Sequence, residues 1–246
     1  MAKKVNNSNS QWNSQPENRF VAFFDILGFK DSVLKDDHNV VYDKLYKLSN
    51  HINVLEKPFT GENGEIVPSN LKTYNFSDSI IIFSKTDSAE DFNTFYLSAI
   101  VLFSNAVSMG IPLKGGIAHG KITINQSKKI FFGQPLIDAY QIEEDLKYFG
   151  IAVHNSIEKY MEENNLEKRV DHFFFEETTP FKSGKIIHKN LNWFLAYAIE
   201  KNIEINDKAK VKENILKKIK EFRLTTSGSP RIYIDNTINI IESLYK

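Results

Sequence analysis

The chain has 246 residues, 41% of them hydrophobic, which is enough for one sizeable core plus an extension. It has no cysteine, so disulfides, zinc-thiolate sites and thiol catalysis are excluded and a reducing cytoplasm is the expected compartment. Acidic and basic residues balance at 31 each, which argues against broad nucleic-acid binding, and there is no apolar run of about 18 residues to span a membrane. The polar, Asn- and Ser-rich opening lacks the apolar run of a signal peptide, so residues 1–18 are expected to form a flexible tail. Phe20 to Ile26 is a continuous apolar run, the pattern of a strand buried on both faces. Between Asp31 and Glu56 the residues Leu34, Val41, Leu45, Leu48, Ile52 and Leu55 recur at near-helical spacing and predict one long helix. After a Gly- and Pro-containing loop, Leu71 to Phe76 and Ser79 to Phe83 read as a hairpin with Asp78 at its tip. A helix over Ala89 to Met109 follows, then strand signals over Lys114 to Ile124 and Lys129 to Phe132, and a helix opened by Pro135. The order is β-α-β-β-α-β, a ferredoxin-like α/β pattern. Past Gly150 come a helix over His154 to Asn164, a strand near His172 to Phe175, and mainly helical periodicity from Asn190. The domain boundaries expected are a core over residues 19–184 and a helical C-terminal extension over 185–246. Within that extension, Val211, Ile215, Ile219 and Phe222 mark the packed face of a lysine-rich helix.

The chemistry concentrates in two segments. FFDILGF (Phe23 to Phe29) and YNFSDSIIIF (Tyr74 to Phe83) each set one carboxylate beside an otherwise apolar strand, where an unpaired charge is costly. If the two strands are neighbours, Asp25 and Asp78 can jointly hold one or two hard divalent ions, because Mg²⁺ takes one or two carboxylates plus substrate phosphates. A nucleotide-handling enzyme is the reading that follows. Gly28 lets the backbone after Asp25 approach phosphate oxygens closely, ahead of a helix N-terminus.

Four segments, FFDILGF, YNFSDSIIIF, LKGGIAHGKI and FFGQPLIDAYQIEE, resemble in order and spacing the hallmark blocks of class III nucleotidyl cyclases over about Phe20 to Glu143. The resemblance implies two ions, Mn²⁺ or Mg²⁺, held on the triphosphate by Asp25, Asp78 and the backbone carbonyl of Ile26. It places substrate near Gly28 and Phe29, sets Lys114 where the family has an arginine that contacts the β and γ phosphates, and makes Lys182, in TTPFKSGK, a weaker match to a late phosphate-binding lysine. His119, in the same block as Lys114, is expected only to pack.

Departures from the family pattern narrow the reading. The two base-reading places hold Tyr74 and Ile130, where purine cyclases carry polar residues; a ring that shortens the pocket and offers a stacking face suits a single-ring base. This looks like the pyrimidine cyclases of the Pycsar anti-phage systems. The family's transition-state Asn and Arg are replaced by Ile137 and Gln141, and Arg231 is one conceivable substitute. The resemblance thus implies conversion of UTP or CTP, with UTP slightly favoured, to a 3′,5′-cyclic nucleotide and pyrophosphate. It also implies a homodimer with composite sites and a separate effector that senses the product, while the charge balance and the lack of a long apolar run lead to the expectation of no nucleic-acid or membrane partner. A purine cyclase and a catalytically degenerate, nucleotide-binding regulatory domain remain as alternatives.

Overall fold

In the computed structural model, which describes residues 12, 14–60 and 66–246, strand β1 spans Glu17–Ile26. Of the tail expected over residues 1–18, residues 1–11 and 13 lie outside the described residues, and Glu17 and Asn18 already belong to β1. Two helices follow where one was expected, α1 (Phe29–Lys35) and α2 (His38–Leu55). The break falls at Asp36 and Asp37, where the Asp37 carboxylate accepts the Asn39 N–H at 2.9 Å and caps α2. A two-residue pair, β2 (Phe59–Thr60) with β3 (Ile66–Val67), lies in the following loop. The hairpin β4 (Leu71–Phe76) and β5 (Ser79–Ser84) turns at Ser77, which adopts a left-handed φ of 59°. Helix α3 (Ala89–Ser108), capped by Ser88, then leads to β6 (Leu113–Asn125), β7 (Ile130–Gly133) and α4 (Gln134–Asp145).

The strands join one mixed eight-stranded sheet in the order β4-β5-β1-β6, continued by β8 (Ile151–Val153), β10 (Gly184–Leu191) and β9 (Phe174–Phe181), with β7 paired to β6. β1 runs antiparallel to both β5 and β6, which is the expected ferredoxin-like arrangement, and the parallel β6–β8 pair extends it. Alternation along β1 divides the sheet's two faces. Phe20, Ala22 and Phe24 enter the main core with α2 and α3, while Val21 and Phe23 join a smaller cluster with α4 on the opposite face. The outer edge of β4 is closed from within: Leu71 N–H donates to Ser69 Oγ at 3.1 Å, and Thr73 N–H and Oγ1 donate to Glu56 Oε1 at 2.6 and 2.7 Å. Burial works against the Glu56 charge, but hydrogen bonds from Lys72 and Thr73 outweigh it and hold the carboxyl below its usual range.

Beyond β8 lie α5 (Asn155–Glu163), the short α6 (Glu167–Val170), the β9–β10 hairpin, and helices α7 (Trp193–Glu200), α8 (Lys208–Glu221) and α9 (Arg231–Leu244). The strand read near His172 begins only at Phe174, after a tight helical turn over Asp171–Phe173. Gly184, the expected boundary, lies at the turn of the β9–β10 hairpin, and the extension is helical only from Trp193. Val211, Ile215 and Ile219 are buried on α8, in the same core as Phe103 and Trp193. α7 and α9 grip the segment that follows α4: Trp193 Nε1 donates to the Phe149 carbonyl at 3.1 Å, Phe149 N–H donates to Thr237 Oγ1 at 2.9 Å, and Asn236 donates to the Lys147 carbonyl at 2.8 Å. Among the described residues no helix is long and apolar enough to cross a membrane.

Candidate active site

The site forms where β1 ends on the α4 face. Asp25 alternates with Phe24 and is therefore directed away from the main core; its cross-strand partners are Ser79 on β5 and Lys114 on β6. The β4–β5 tip is tied to it through the backbone, because Ile26 N–H donates to the Asp78 carbonyl at 3.0 Å. Both carboxylates are half-buried. Burial pushes the Asp25 carboxyl up, Lys114 opposes the rise, and the charge of Asp78 adds to it. Next in the chain, Gly28 takes φ 74°, a left-handed conformation in which a side chain is strained, and turns the backbone into α1 at Phe29. Leu27 N–H donates to the Pro112 carbonyl at 2.9 Å and fixes that loop to the start of β6.

Lys114 is buried, and its ammonium is engaged with the last turn of α4. Nζ lies 2.8 Å from Glu143 Oε1, 3.0 Å from the Glu143 carbonyl and 3.3 Å from the Glu144 carbonyl. The two carbonyls accept hydrogen bonds from the ammonium, while Glu143 Oε1 meets it as a close ion pair whose angle is not that of a hydrogen bond, leaving that buried oxygen without a hydrogen-bond partner among the described residues. Burial pushes the Glu143 carboxyl up to about 7, with Lys114 pulling it down and the charges of Asp25 and Glu144 pushing it further up. Lys182, at the β9–β10 turn, pairs with Glu144 Oε1 at 2.7 Å, while its N–H donates to the Asp145 carbonyl at 2.8 Å. The structure therefore gathers Asp25, Asp78 and Lys114 at one end of the sheet and links Lys182 to them through consecutive residues of α4.

Tyr74 lies on the same face, half-buried against Phe131 with ring centroids 4.4 Å apart and edge-on to Phe83 at 5.9 Å. Burial and the nearby charge of Glu56 raise its phenol. Two strands across at about 4.8 Å each and two residues along at about 3.3 Å each put the Tyr74 and Asp25 backbones about 12 Å apart. Ile130 is half-exposed at the start of β7, opposite Asn125. Ile137 and Gln141 are exposed on the outer side of α4. Arg231 is committed elsewhere, donating to the Thr226 and Arg223 carbonyls. His119 packs: its ring lies 4.9 Å from both Phe20 and Tyr160, and burial lowers its pKa.

Sequence reasoning did not pick out Glu143, Glu144 or Gly116. Pro135, Ala139 and Glu143 follow at intervals of four along α4 and are all buried, so a carboxylate at the third inward position was the available signal. Gly116 is the complement on β6: a side chain there would meet Ala139 O and Ile142, with Glu143 N at 3.0 Å, so its absence lets α4 pack directly on the strand backbone.

No family model matches the sequence, and no curated protein matches it significantly. The fold does match solved structures. A bacterial light-regulated adenylyl cyclase superposes with a TM-score of 0.50 at 13% identity, over 77% of this chain and 100% of its own. The catalytic core of a rhodopsin-guanylyl cyclase with converted specificity, in complex with ATPαS, does so with a TM-score of 0.50 at 11% identity, over 72% of this chain and 97% of its own. At these identities the likeness is one of fold, and the fold of this chain is class III cyclase-like.

Proposed function

We propose that this chain is a metal-dependent nucleotidyl cyclase that acts on a pyrimidine nucleoside triphosphate. The observation that carries the reading is the pairing of Asp25 with Asp78, two mutually repelling carboxylates at the end of the central strand of a class III cyclase-like fold. Their chemistry fits a hard divalent cation such as Mn²⁺ or Mg²⁺. Among the described residues no third acid or histidine joins them into a larger metal cluster, and two carboxylates are what such an ion takes alongside substrate phosphates. Bound there, with Ile26 lending its carbonyl, the metal supplies the charge neutralisation that in-line displacement at the α-phosphorus requires.

The rest falls to the protein. Gly28 and Phe29 offer backbone to the phosphates, and Lys114 and Lys182 bring positive charge to the same end of the sheet. In the reaction the ribose 3′-oxygen bonds to the α-phosphorus, the bond to the bridging oxygen breaks, pyrophosphate leaves, and the hydroxyl proton passes to water. Holding the triphosphate and ribose in line is the main catalytic task. Tyr74 and Ile130 support the pyrimidine reading, since the ring shortens the pocket and offers a stacking face with one hydroxyl, while the aliphatic chain offers no hydrogen bond to a purine edge.

The active unit in this reading is a homodimer in which Tyr74 of one chain reads the base bound at the other chain's acids. Its support is the exposed apolar surface on the site face, with Phe76 at 86%, Ile137 at 50% and Tyr140 at 44% exposure, together with the separation of Tyr74 from Asp25 within one chain. By its resemblance to the Pycsar enzymes, the product is a second messenger for a separate effector in phage defence, made in the cytoplasm. Supplying ATP, GTP, CTP and UTP in equal amounts with Mn²⁺ and identifying cyclic products by mass tests the proposal. A cyclic pyrimidine nucleotide is expected; cyclic AMP or cyclic GMP as the main product overturns the base assignment. A second reading, nucleotide binding without turnover, is favoured by Ile137 and Gln141 in place of a charge clamp on the transition state; no cyclic product from any of the four, with binding retained, establishes it.

A further inference from the structure

Two consecutive glutamates close α4, and each holds one of the two lysines of the site in a different physical regime. The Lys114–Glu143 pair meets at 2.8 Å with side-chain exposures of 8% and 3%, an ion pair by distance, and the ammonium donates to the Glu143 and Glu144 carbonyls. Separating it leaves a buried charge uncompensated, which is strongly unfavourable. The Lys182–Glu144 pair is as short, 2.7 Å, but its side chains are 45% and 51% exposed, and pairs in that setting are weak. A polyanion arriving at this end of the sheet can therefore take Lys182 from Glu144 but not Lys114 from Glu143.

Resting on the reading of this site as a triphosphate site, we propose that Glu144 is an internal rival of the substrate's phosphates, occupying Lys182 until they displace it, and that Glu143 is a positioning residue that pins Lys114 beside Asp25. Glu144 thereby weakens ground-state binding of the triphosphate and returns to Lys182 as pyrophosphate leaves. Glu143 acts through Lys114, whose backbone is the cross-strand partner of Asp25: it holds the ammonium at the last turn of α4 instead of leaving it free to swing across the paired acids. The net charge that a metal meets at Asp25 and Asp78 is set by this pair.

Isothermal titration of the full chain with inorganic tripolyphosphate tests the first half. Glu144→Gln should tighten binding roughly two- to fivefold, the range of an exposed ion pair. Glu144→Asp, which keeps the charge, should stay nearer the wild type. The gain should vanish in a Lys182→Met background, which separates competition for that lysine from a general charge effect. For the nucleotide, the same variant should show a lower KM with no rise in kcat. Unchanged or weaker tripolyphosphate binding in Glu144→Gln overturns the rivalry.

Titration with Mn²⁺ alone tests the second half. Glu143→Gln should bind Mn²⁺ several-fold more weakly, with Glu143→Asp partly restoring affinity. Because Glu143→Gln can fail to fold, the double change Glu143→Leu with Lys114→Met removes both charges together and should bind Mn²⁺ more nearly like the wild type. Mn²⁺ affinity unaltered in folded Glu143→Gln overturns the positioning role. Tighter tripolyphosphate binding in Glu144→Gln without any cyclic product supports the rivalry while removing the cyclase reading; cyclic product with unaltered tripolyphosphate binding does the reverse.

Discussion

Burial and, more weakly, the charge of Asp78 raise the cost of ionising Asp25, and the repulsion between the two carboxylates makes their replacement informative. Asp25→Asn and Asp78→Asn should each abolish turnover while leaving the metal-free melting temperature unchanged or higher, because neutralising either acid removes a ligand and also relieves repulsion. Substantial activity in either variant removes the metal assignment. Glu143 carries a pH signature of its own. Its folded-state value, raised to about 7 chiefly by burial against the pull of Lys114, means that the acid is neutral at low pH and becomes the charged partner of Lys114 only as pH rises through neutrality. The stability that the neutral acid contributes is fully present below the ordinary 4.5 and is lost as pH rises through about 7. Metal-free wild type should therefore lose about 1–3 kcal/mol relative to Glu143→Gln between about pH 5 and about pH 8. Thermal melts of the two proteins across that range check it; parallel profiles would show that Glu143 stays charged throughout.

At the scale of elements, the close approach of α4 to β6 decides whether the site exists. A methyl at Gly116 would run into the Ala139 carbonyl and Ile142, both held by the helix. Gly116→Ala is expected to cost about 1–3 kcal/mol and to push the last turn of α4 away from Lys114, lowering kcat well beyond the stability loss. Chemical denaturation and steady-state kinetics on the same preparation measure both effects. The elements themselves were largely legible. β1, the β4–β5 hairpin, α3 and α4 follow from apolar runs, turn residues and Pro135, because local chemistry determines them. The break at Asp36 and Asp37 was missed because an apolar spacing continues across it, while Asp36 turns extended at the end of α1 and the Asp37 carboxylate caps the start of a second helix. β10 was missed because its first residues, Gly184 to Ile187, are exposed and carry no alternation toward a core. Asp25 and Asp78 were readable as acids beside apolar strands. The engagement of Lys114 with Glu143 was not, since it depends on a long-range contact that only the packing of α4 on Gly116 creates.

For the molecule as a whole, the proposed composite site predicts complementation. Mixing Asp25→Asn chains with Tyr74→Ala chains should restore one intact site per heterodimer and so recover activity that neither variant has alone. Subunit exchange without recovery would mean that Tyr74 and the acids serve the same chain's substrate. How two copies can meet is constrained by the margin of the sheet. With the amides of Leu71 and Thr73 already taken by Ser69 and Glu56, β4 offers a poor template for an added strand, so association is steered from the rim toward the faces. Ionisation strengthens this guard. Since hydrogen bonds keep the Glu56 carboxyl below its usual range, its stabilising effect holds down to unusually acidic conditions and is lost as pH falls through that depressed value. Glu56→Ala, which takes the acceptor away from Thr73 N–H and Oγ1, should free that amide and make the rim a template for strand addition at neutral pH, read as growing particle size by light scattering.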